Sequence, residues 1–385
     1  YLRERLANLG FETYTWTPDP GALATLPSFP PAEDLDPAIA DRPSVAGVLE
    51  LGDPDRGPTL VLNGHMDVVP AASGEWSGDP FEPRWETDSP DSNANDDRGE
   101  RLVGRGAVDM KSQVAACVYA ARHLADRAGE GATDAGERSL DGRVVVESVA
   151  GEEEGGFGAA AAALSNPYPF ERDAAIVTEP TDMRVVTATE GCLMCRIGVE
   201  GRPAHAARRW EGDSVLPKFE RVRAALCDLE RERGERVTHP LYERFETPWP
   251  IVVGRVDAGT WASNVPGTLT AECRVGVAPG ESLDAVEREV RAALRDLADG
   301  DDWTGPVPTV ERFGVQFESA EVDADEPVVR ALGEALASVA ERATGGEDAD
   351  TAPTGETYGS DARHYVRAGI PAVVFGPGRI EAAHF

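Results

Sequence analysis

Acidic and imidazole side chains follow directly on a short apolar run at residues 59–63. The run leads into Gly64-His65-Met66-Asp67. His65 and Asp67 are two positions apart, and such residues lie on the same face of an extended chain. A metal-bound imidazole usually donates its other N–H to a carboxylate. His65 is therefore a candidate metal ligand and Asp67 a candidate for the residue that orients it, although a surface histidine fits this short motif equally well.

A glycine-rich segment at 104–111, with the sequence GRGAVDMK, precedes a helical pattern at 109–125. A phosphate loop is the obvious competing interpretation, but the spacing fits neither G-x-x-x-x-G-K-[ST] nor G-x-G-x-x-G. We interpret Asp109 as a metal-binding carboxylate at the start of the helix. The alternative is that Asp109 only caps that helix.

Three adjacent acids, Glu152, Glu153 and Glu154, follow a buried-strand pattern at 143–149 and precede Gly155 and Gly156. Neighbouring carboxylates at the end of a buried strand repel one another unless cations lie among them. The two glycines let the backbone approach other groups closely, which a solvated loop would not require. The segment predicts a cation site, but its sequence does not decide which of the three glutamates binds the cation.

These motifs belong to a chain in which short apolar runs alternate with helical patterns. Strands are predicted at 59–63, 143–149, 174–178 and 372–375, and helices at 109–125 and 326–340. This order is typical of an α/β protein with a largely parallel sheet. Functional sites of such sheets collect at the carboxyl ends of the strands, where Glu179 follows the third run and His384 comes shortly after the fourth.

The middle of the chain has a different pattern. It predicts a strand at 187–199, a helix at 214–232, strands at 251–256 and 268–277, a helix at 283–298 and a strand at 307–313. The order β-α-β-β-α-β is that of a ferredoxin-like unit. We therefore expect a discontinuous first domain, 1–186 and 314–385, with an inserted domain at 187–313.

Composition excludes some classes of function. The chain has 385 residues, with 37 Lys and Arg against 69 Asp and Glu, so its net charge is 37 − 69 = −32. Binding to nucleic acid or to an anionic membrane is disfavoured, because it depends on cationic patches. No run approaches the roughly 20 apolar residues of a membrane span. The acidity resembles that of halophilic proteins, and five scattered cysteines favour a reducing cytoplasm.

The motifs, taken in order, resemble the M20 metallopeptidase family, within it the acetylornithine deacetylase and succinyl-diaminopimelate desuccinylase group. They are Gly64-His65-x-Asp67, Gly104-Arg105-Gly106-x-x-Asp109-Met110-Lys111, Glu152-Glu153-x-Gly155-Gly156, Glu179-Pro180 and Gly376-Pro377-Gly378 with Ala383-His384. The resemblance implies a zinc-peptidase-like catalytic domain with a mostly parallel central sheet and an inserted ferredoxin-like α+β lid that commonly dimerises. The family continues beyond its last ligand, so we expect this chain to be trimmed at both ends.

The resemblance also implies a dinuclear metal site. His65, Asp109 and Glu179 would hold one ion, and Asp109 would bridge to a second ion held by Glu153 and His384. Two divalent ions supply +4 and three carboxylates −3, so one bridging hydroxide brings such a cluster to neutrality. Carboxylates and imidazoles without thiolate suit zinc, with cobalt or manganese as alternatives.

Further roles follow from the same resemblance. Glu152 would be the general base that deprotonates the bridging water; the neighbouring glutamates could exchange roles, and the assignment depends on the family's spacing to the two glycines. His205 of the lid would reach the substrate oxyanion, in dimeric members from the partner subunit. Asn264 and Arg274 resemble lid positions that engage the substrate carboxylate.

The predicted function is a dinuclear hydrolase that cleaves the amide of a small N-acyl amino acid, of the deacetylase or desuccinylase type. A dipeptidase or carboxypeptidase of the same family acting on a short peptide is the close alternative. A relative that binds metal or a small acid without turnover is the alternative from another class. We expect a homodimer formed through the lid and no nucleic-acid or membrane partner.

Overall fold

The computed structural model describes residues 1–71, 76–87, 100–129, 140–344 and 351–383. His384, predicted as a metal ligand, lies outside these ranges, so its assignment stays a prediction. The strands of the described residues are β1 (Glu12–Trp16), β2 (Ser44–Leu51), β3 (Thr59–His65), β4 (Arg84–Thr87), β5 (Glu100–Val103), β6 (Gly142–Val149), β7 (Ala174–Val177), β8 (Val186–Thr189), β9 (Gly191–Glu200), β10 (Ala204–His205), β11 (Ile251–Ala258), β12 (Asn264–Val265), β13 (Thr268–Val277), β14 (Thr309–Arg312), β15 (Ala320–Glu321), β16 (Thr354–Glu356) and β17 (Ala372–Val374). The helices are α1 (Leu2–Asn8), α2 (Pro20–Leu23), α3 (Ser112–Gly129), α4 (Phe157–Leu164), α5 (Val215–Arg236), α6 (Leu283–Ala298), α7 (Pro327–Thr344) and α8 (Ala362–Arg367).

The central sheet has the strand order β1-β2-β6-β3-β7-β17-β8-β15, with β16 paired to β8. Its middle strands β6, β3, β7 and β17 run parallel, which confirms the predicted α/β class with a mostly parallel sheet. Val144 and Val146 of β6 pack with α1 and α3 on one face, while Val145 packs with α4 and α8 on the other. Helices on both faces explain why these strands read as continuous apolar runs.

A second, antiparallel sheet has the order β11-β13-β9-β14, and α5 and α6 pack against one of its faces. The chain order β9-α5-β11-β13-α6-β14 is the ferredoxin-like arrangement that the pattern predicts. We call this unit the lid. Its apolar core includes Leu193, Ile197, Val222 and Val290, each 0% exposed.

The predicted single strand at 187–199 is wrong. The structure has two strands there, β8 in the central sheet and β9 in the lid sheet, separated by Glu190. Both strands are apolar and buried, so hydropathy does not mark the boundary. The chain changes sheet where Gly191 lies against the backbone of Phe317 and Ser319, so closely that a Cβ atom at this position would collide with it.

The segments that enter and leave the lid are bonded to each other. The N–H and C=O of Cys192 bond to the C=O and N–H of Phe317 at 2.8 and 3.0 Å. The side chain of Gln316 accepts from the N–H of Met194 at 2.7 Å and donates to its carbonyl at 3.2 Å. We call these paired segments, 191–194 and 313–317, the neck.

The predicted start of a helix at Asp109 is also wrong. Helix α3 begins at Ser112, and Ala107–Lys111 forms an irregular turn in which Asp109 has φ −124° and ψ 93° and is followed by a cis peptide bond. Met110 is 0% exposed, with its Cε 3.0 Å from the position of a Cβ on Gly64. The turn thus places Asp109 beside the end of β3 and not on the helix.

No helix within the described ranges is long and apolar enough to cross a bilayer. All five cysteines have free thiols, and Cys227 is the one that is exposed.

Candidate metal centre

The candidate ligands lie at the carboxyl ends of adjacent strands. His65 ends β3, Glu152 and Glu153 follow β6, and Glu179 follows β7, while Asp109 reaches the same edge from the turn before α3. Parallel strands bring their carboxyl ends to one edge of a sheet, so residues far apart in sequence meet there. The His65 side chain is 1% exposed, which makes this a buried cluster.

Two groups of possible ligand atoms share His65. One contains His65, Asp109 and Glu153, and the other His65, Glu152 and Glu179, with the atoms of each group within 4.8 Å of one another. Neither group equals the set His65, Asp109 and Glu179 that the resemblance implies for one ion. All three of these residues nevertheless belong to the two joined groups, and an imidazole among carboxylates is a donor set that suits a divalent ion such as zinc.

Asp67 has a role that the sequence did not predict. The His65 ring contacts its backbone oxygen, with Nδ1 at 3.0 Å, and not its carboxylate, which lies 3.7 Å away. The carboxylate instead accepts from the backbone N–H groups of Gly151, Glu152 and Glu153 at 2.8, 3.3 and 3.1 Å. Asp67 therefore holds both the imidazole and the turn that carries the two glutamates.

Burial and repulsion shift the protonation of the clustered groups. Burial lowers the pKa of His65, but the hydrogen bond from Nε2 to Asp109 Oδ1 at 2.8 Å and the nearby carboxylates raise it to about 11. Burial raises the pKa of Glu179 to about 8, against the influence of the His65 charge. The pKa of Glu152 is raised well above its usual value by burial and by the charges of Glu179 and Asp361.

These shifts indicate that the single imidazole charge of His65 does not offset the surrounding carboxyl groups when no cation is present. Buried carboxyls keep their protons because they cannot all ionise together at such short range. Lys111 lies near the charges of Asp67, Asp109 and Glu153, but burial lowers the pKa of its own ammonium group. The donor set and the missing positive charge both fit one or more divalent ions in this position.

A second set of residues near the cluster was missed by the sequence motifs for ligands. Gly156 has φ +73°, and a Cβ there would collide with Asp361 Oδ1 and His364 Nε2. Arg363 donates from Nη2 to the carbonyl of Gly155 at 2.8 Å. The segment 360–364 therefore packs against the end of the turn 151–156, which carries Glu152 and Glu153 and which we call the glutamate turn. In the sequence, Ser360-Asp361-Ala362-Arg363 resembles a pocket-lining segment of the M20 metallopeptidase family, which is the one signal for Asp361, while His364 matches no motif.

The structure places two predicted lid residues side by side and the third apart from them. His205 and Asn264 are opposite each other in the β10–β12 pair, and both are exposed. His205 Nδ1 accepts from the N–H of Ala207 at 3.1 Å, which leaves the ring proton on Nε2. Arg274 lies elsewhere, with Nη1 at 3.2 Å from Glu190 and Nη2 donating to the carbonyl of Thr357 at 3.1 Å.

Replacing Asp67 with alanine should weaken metal binding without unfolding the chain. The change removes the acceptor that holds the 151–153 turn, and loss of such supporting contacts typically lowers metal affinity by about 10- to 100-fold. The matched control is Glu154→Ala, because Glu154 is on the same turn but half-exposed and paired with Arg42 at 2.7 Å. Zinc titration calorimetry measures both; equal affinities for the two variants would contradict the role of Asp67.

Zinc binding should release protons. With a pKa of about 11 for His65 and about 8 for Glu179, both groups are protonated at pH 7 in the metal-free chain, and both must lose the proton to become ligands. We expect at least about two protons released at pH 7, because Glu152, whose pKa is also raised, adds to the two from these ligands. The number should be lower by about one at pH 9, where Glu179 is already ionised. Calorimetry in buffers of different ionisation enthalpy measures the count, and a pH-independent count would contradict these pKa values.

Comparisons with known proteins agree with this centre. A family model described as Peptidase family M20/M25/M40 matches residues 61–385. A probable carboxypeptidase of Aspergillus flavus is 33% identical over 249 residues, which cover 63% of this chain and 52% of the relative. The chain therefore spans about half the length of that curated relative.

Two further similarities are one to a relative in sequence and one to a solved structure. The N-formyl-4-amino-5-aminomethyl-2-methylpyrimidine deformylase of Bacillus subtilis is 27% identical over 366 residues, covering 89% of this chain and 77% of the relative. The solved structure of the di-peptidase Dug1p from Saccharomyces cerevisiae superimposes with a TM-score of 0.67 at 15% identity, covering 100% of this chain and 84% of the other, and so supports the fold. The match to the family model over most of the chain, together with the ligand residues gathered around His65, shows that this chain belongs to the M20/M25/M40 peptidase family.

Proposed function

We propose that this chain is a metal-dependent hydrolase that cleaves the amide bond of a small N-acyl amino acid, in the manner of a deacetylase or desuccinylase. The observation that carries the proposal is the buried cluster in which His65 is shared by two groups of ligand atoms. The names of the two relatives, a carboxypeptidase and a deformylase, both describe hydrolysis of an amide. They support this class of reaction and leave the acyl group open.

We infer that the cluster holds two divalent ions, with zinc favoured. His65, Asp109, Glu153 and Glu179 supply the described ligands, and His384 is assigned as a further ligand on the resemblance alone. Such ions would polarise the amide carbonyl, lower the pKa of water and favour ionised carboxyls around them. The chain's own contribution is a rigid frame, because Asp67 and the segment 360–364 hold the glutamate turn from both ends.

Glu152 is assigned as the general base. Its side chain is enclosed, and the charges of Glu179, Asp361 and His65 act on it directly in the metal-free chain. A buried carboxylate in this position can take a proton from attacking water and pass it to the leaving amine. A protein that only binds metal or a small acid has no use for such a group, which favours turnover over simple binding.

The lid is proposed to complete the site. The proposed catalytic domain comprises residues 1–186 and 314–385, and the proposed lid domain comprises residues 187–313. The chain passes from the central sheet to the lid sheet at Glu190. His205 is exposed and carries its proton on Nε2, so it can donate to the oxyanion of a tetrahedral intermediate. Because His205 and Asn264 lie outside the metal cluster, we propose that a homodimer formed through the lid brings them to the partner's site.

We also propose one alternative reaction and a location. A dipeptidase or carboxypeptidase reaction is the second candidate, favoured by the name of the Aspergillus flavus relative. Comparing hydrolysis of acetylornithine, succinyl-diaminopimelate and simple dipeptides separates it from deacylation. The free cysteines favour the cytoplasm as location.

Changing Glu152 to glutamine should abolish most turnover while metal content survives. The amide keeps the shape of the side chain but accepts no proton, so kcat should fall by at least about 10²-fold. Chelation of the parent protein should remove hydrolysis as well. The matched variant is Glu153→Gln on the same turn, which should lose metal. Elemental analysis with assays on the three substrate types measures these results, and full activity after exhaustive chelation would overturn the proposed function.

A partner-subunit role for His205 can be tested by mixing inactive variants. His205→Ala should lower kcat by about 10²-fold with metal retained, the scale of one lost oxyanion donor. In mixed dimers with Glu152→Gln, one site would contain both intact residues, so activity should partly return. Subunit exchange is shown by labelled protomers. Exchange without recovered activity would place His205 in its own subunit's site or outside it.

A further inference from the structure

A short segment from Glu356 to Asp361 passes between the two turns that carry the candidate ligands. At one end, Glu356 Oε1 accepts from Arg184, on the turn that follows Glu179, at 2.5 Å. At the other end, Asp361 Oδ1 lies so close to Gly156 that no Cβ fits between them. The residues in the middle of this segment are therefore held next to the metal cluster by contacts at both ends.

Tyr358 is the large side chain in the middle of that segment. Its hydroxyl oxygen is enclosed, yet within the described residues no group accepts a hydrogen bond from it. Burial and the charges of Glu356 and Glu179 raise its pKa, so the phenol stays protonated and is a donor at neutral pH. A buried donor without an acceptor is unfavourable unless a bound molecule supplies one.

The lid contacts the same segment from the other side. Arg274 donates from Nη2 to the carbonyl of Thr357, directly before Tyr358, at 3.1 Å. Tyr242 of the lid donates its hydroxyl to the carbonyl of Glu356 at 2.9 Å. Tyr358 thus lies where the lid meets the metal cluster, which is the place a substrate must occupy if its amide reaches the ions.

We propose that the Tyr358 hydroxyl donates a hydrogen bond to an oxygen of the bound amide substrate and so helps to determine which substrates are accepted. This inference rests on the proposed function and adds to it a contact that neither the metal ligands nor Glu152 provides. The substrate class is an amide that offers a carbonyl or carboxylate oxygen at this position. An analogue without that oxygen leaves the donor buried and unpaired, and is rejected.

The test is Tyr358→Phe, which removes only the hydroxyl. Because this oxygen has no partner among the described residues, thermal stability and metal content should be unchanged. We expect kcat/KM for the best substrate of the panel to fall about 10- to 100-fold. In the Glu152→Gln background, where substrate is bound but not cleaved, calorimetry should show its affinity falling about tenfold or more. The control Tyr119→Phe makes the same change on a side chain that is 62% exposed and should alter neither value.

A second comparison identifies the oxygen. The N-acyl amino acid is compared with the N-acyl amine that lacks the carboxylate. A loss confined to the acid assigns the contact to the carboxylate, and an equal loss for both assigns it to the acyl carbonyl; either result supports the contact. Unchanged kcat/KM and unchanged affinity for both compounds would overturn it. If the parent protein cleaves none of the amides, the proposed function fails instead, so the two failures are distinguishable.

Discussion

Repulsion among buried acids is the constraint on which the rest of this structure depends. Four carboxyl groups surround one imidazole at the edge of the central sheet, and no arginine or lysine pairs with the Glu179 or Glu152 side chain within the described hydrogen bonds and ion pairs. Such a group of charges destabilises the fold unless cations or retained protons offset it. The surrounding backbone must therefore keep the acids together against their own repulsion.

Two sets of contacts, hydrogen bonds at one end of the glutamate turn and close packing at the other, keep the acids together. Asp67 accepts three consecutive backbone N–H groups at the start of the glutamate turn, so the turn cannot move away from His65. At its end, the carbonyl of Gly155 accepts a hydrogen bond from Arg363, and Gly156 lies so close to Asp361 that only a residue without a side chain fits there. The turn is held by a charge at one end and by close packing at the other, and the same two supports keep Glu152 in a fixed position.

The sequence predicted the parts of the fold that depend on pattern. The apolar runs predicted the parallel strands and the ferredoxin-like order. The histidine and acidic residues that come directly after these runs predicted that His65, Glu153 and Glu179 lie at strand ends. It failed where the pattern does not change, as at Glu190 between two apolar strands of different sheets. It also placed Asp109 on a helix, because the irregular turn before Ser112 is set by the burial of Met110 under β3, which is a tertiary contact. The use of Asp67 as a backbone anchor depends on a turn 84 residues away in sequence.

The neck allows a long unit to be inserted into the central domain with little strain on that domain. Its two segments are paired side by side, so the chain leaves the central sheet and returns to it at nearly the same point. A loop whose ends are already neighbours adds little strain to the body from which it departs, whatever its length. Apart from the lid residues that contact Glu190 or the segment 356–358, substitutions that reshape the lid surface therefore need not disturb the strand ends at which the acids lie.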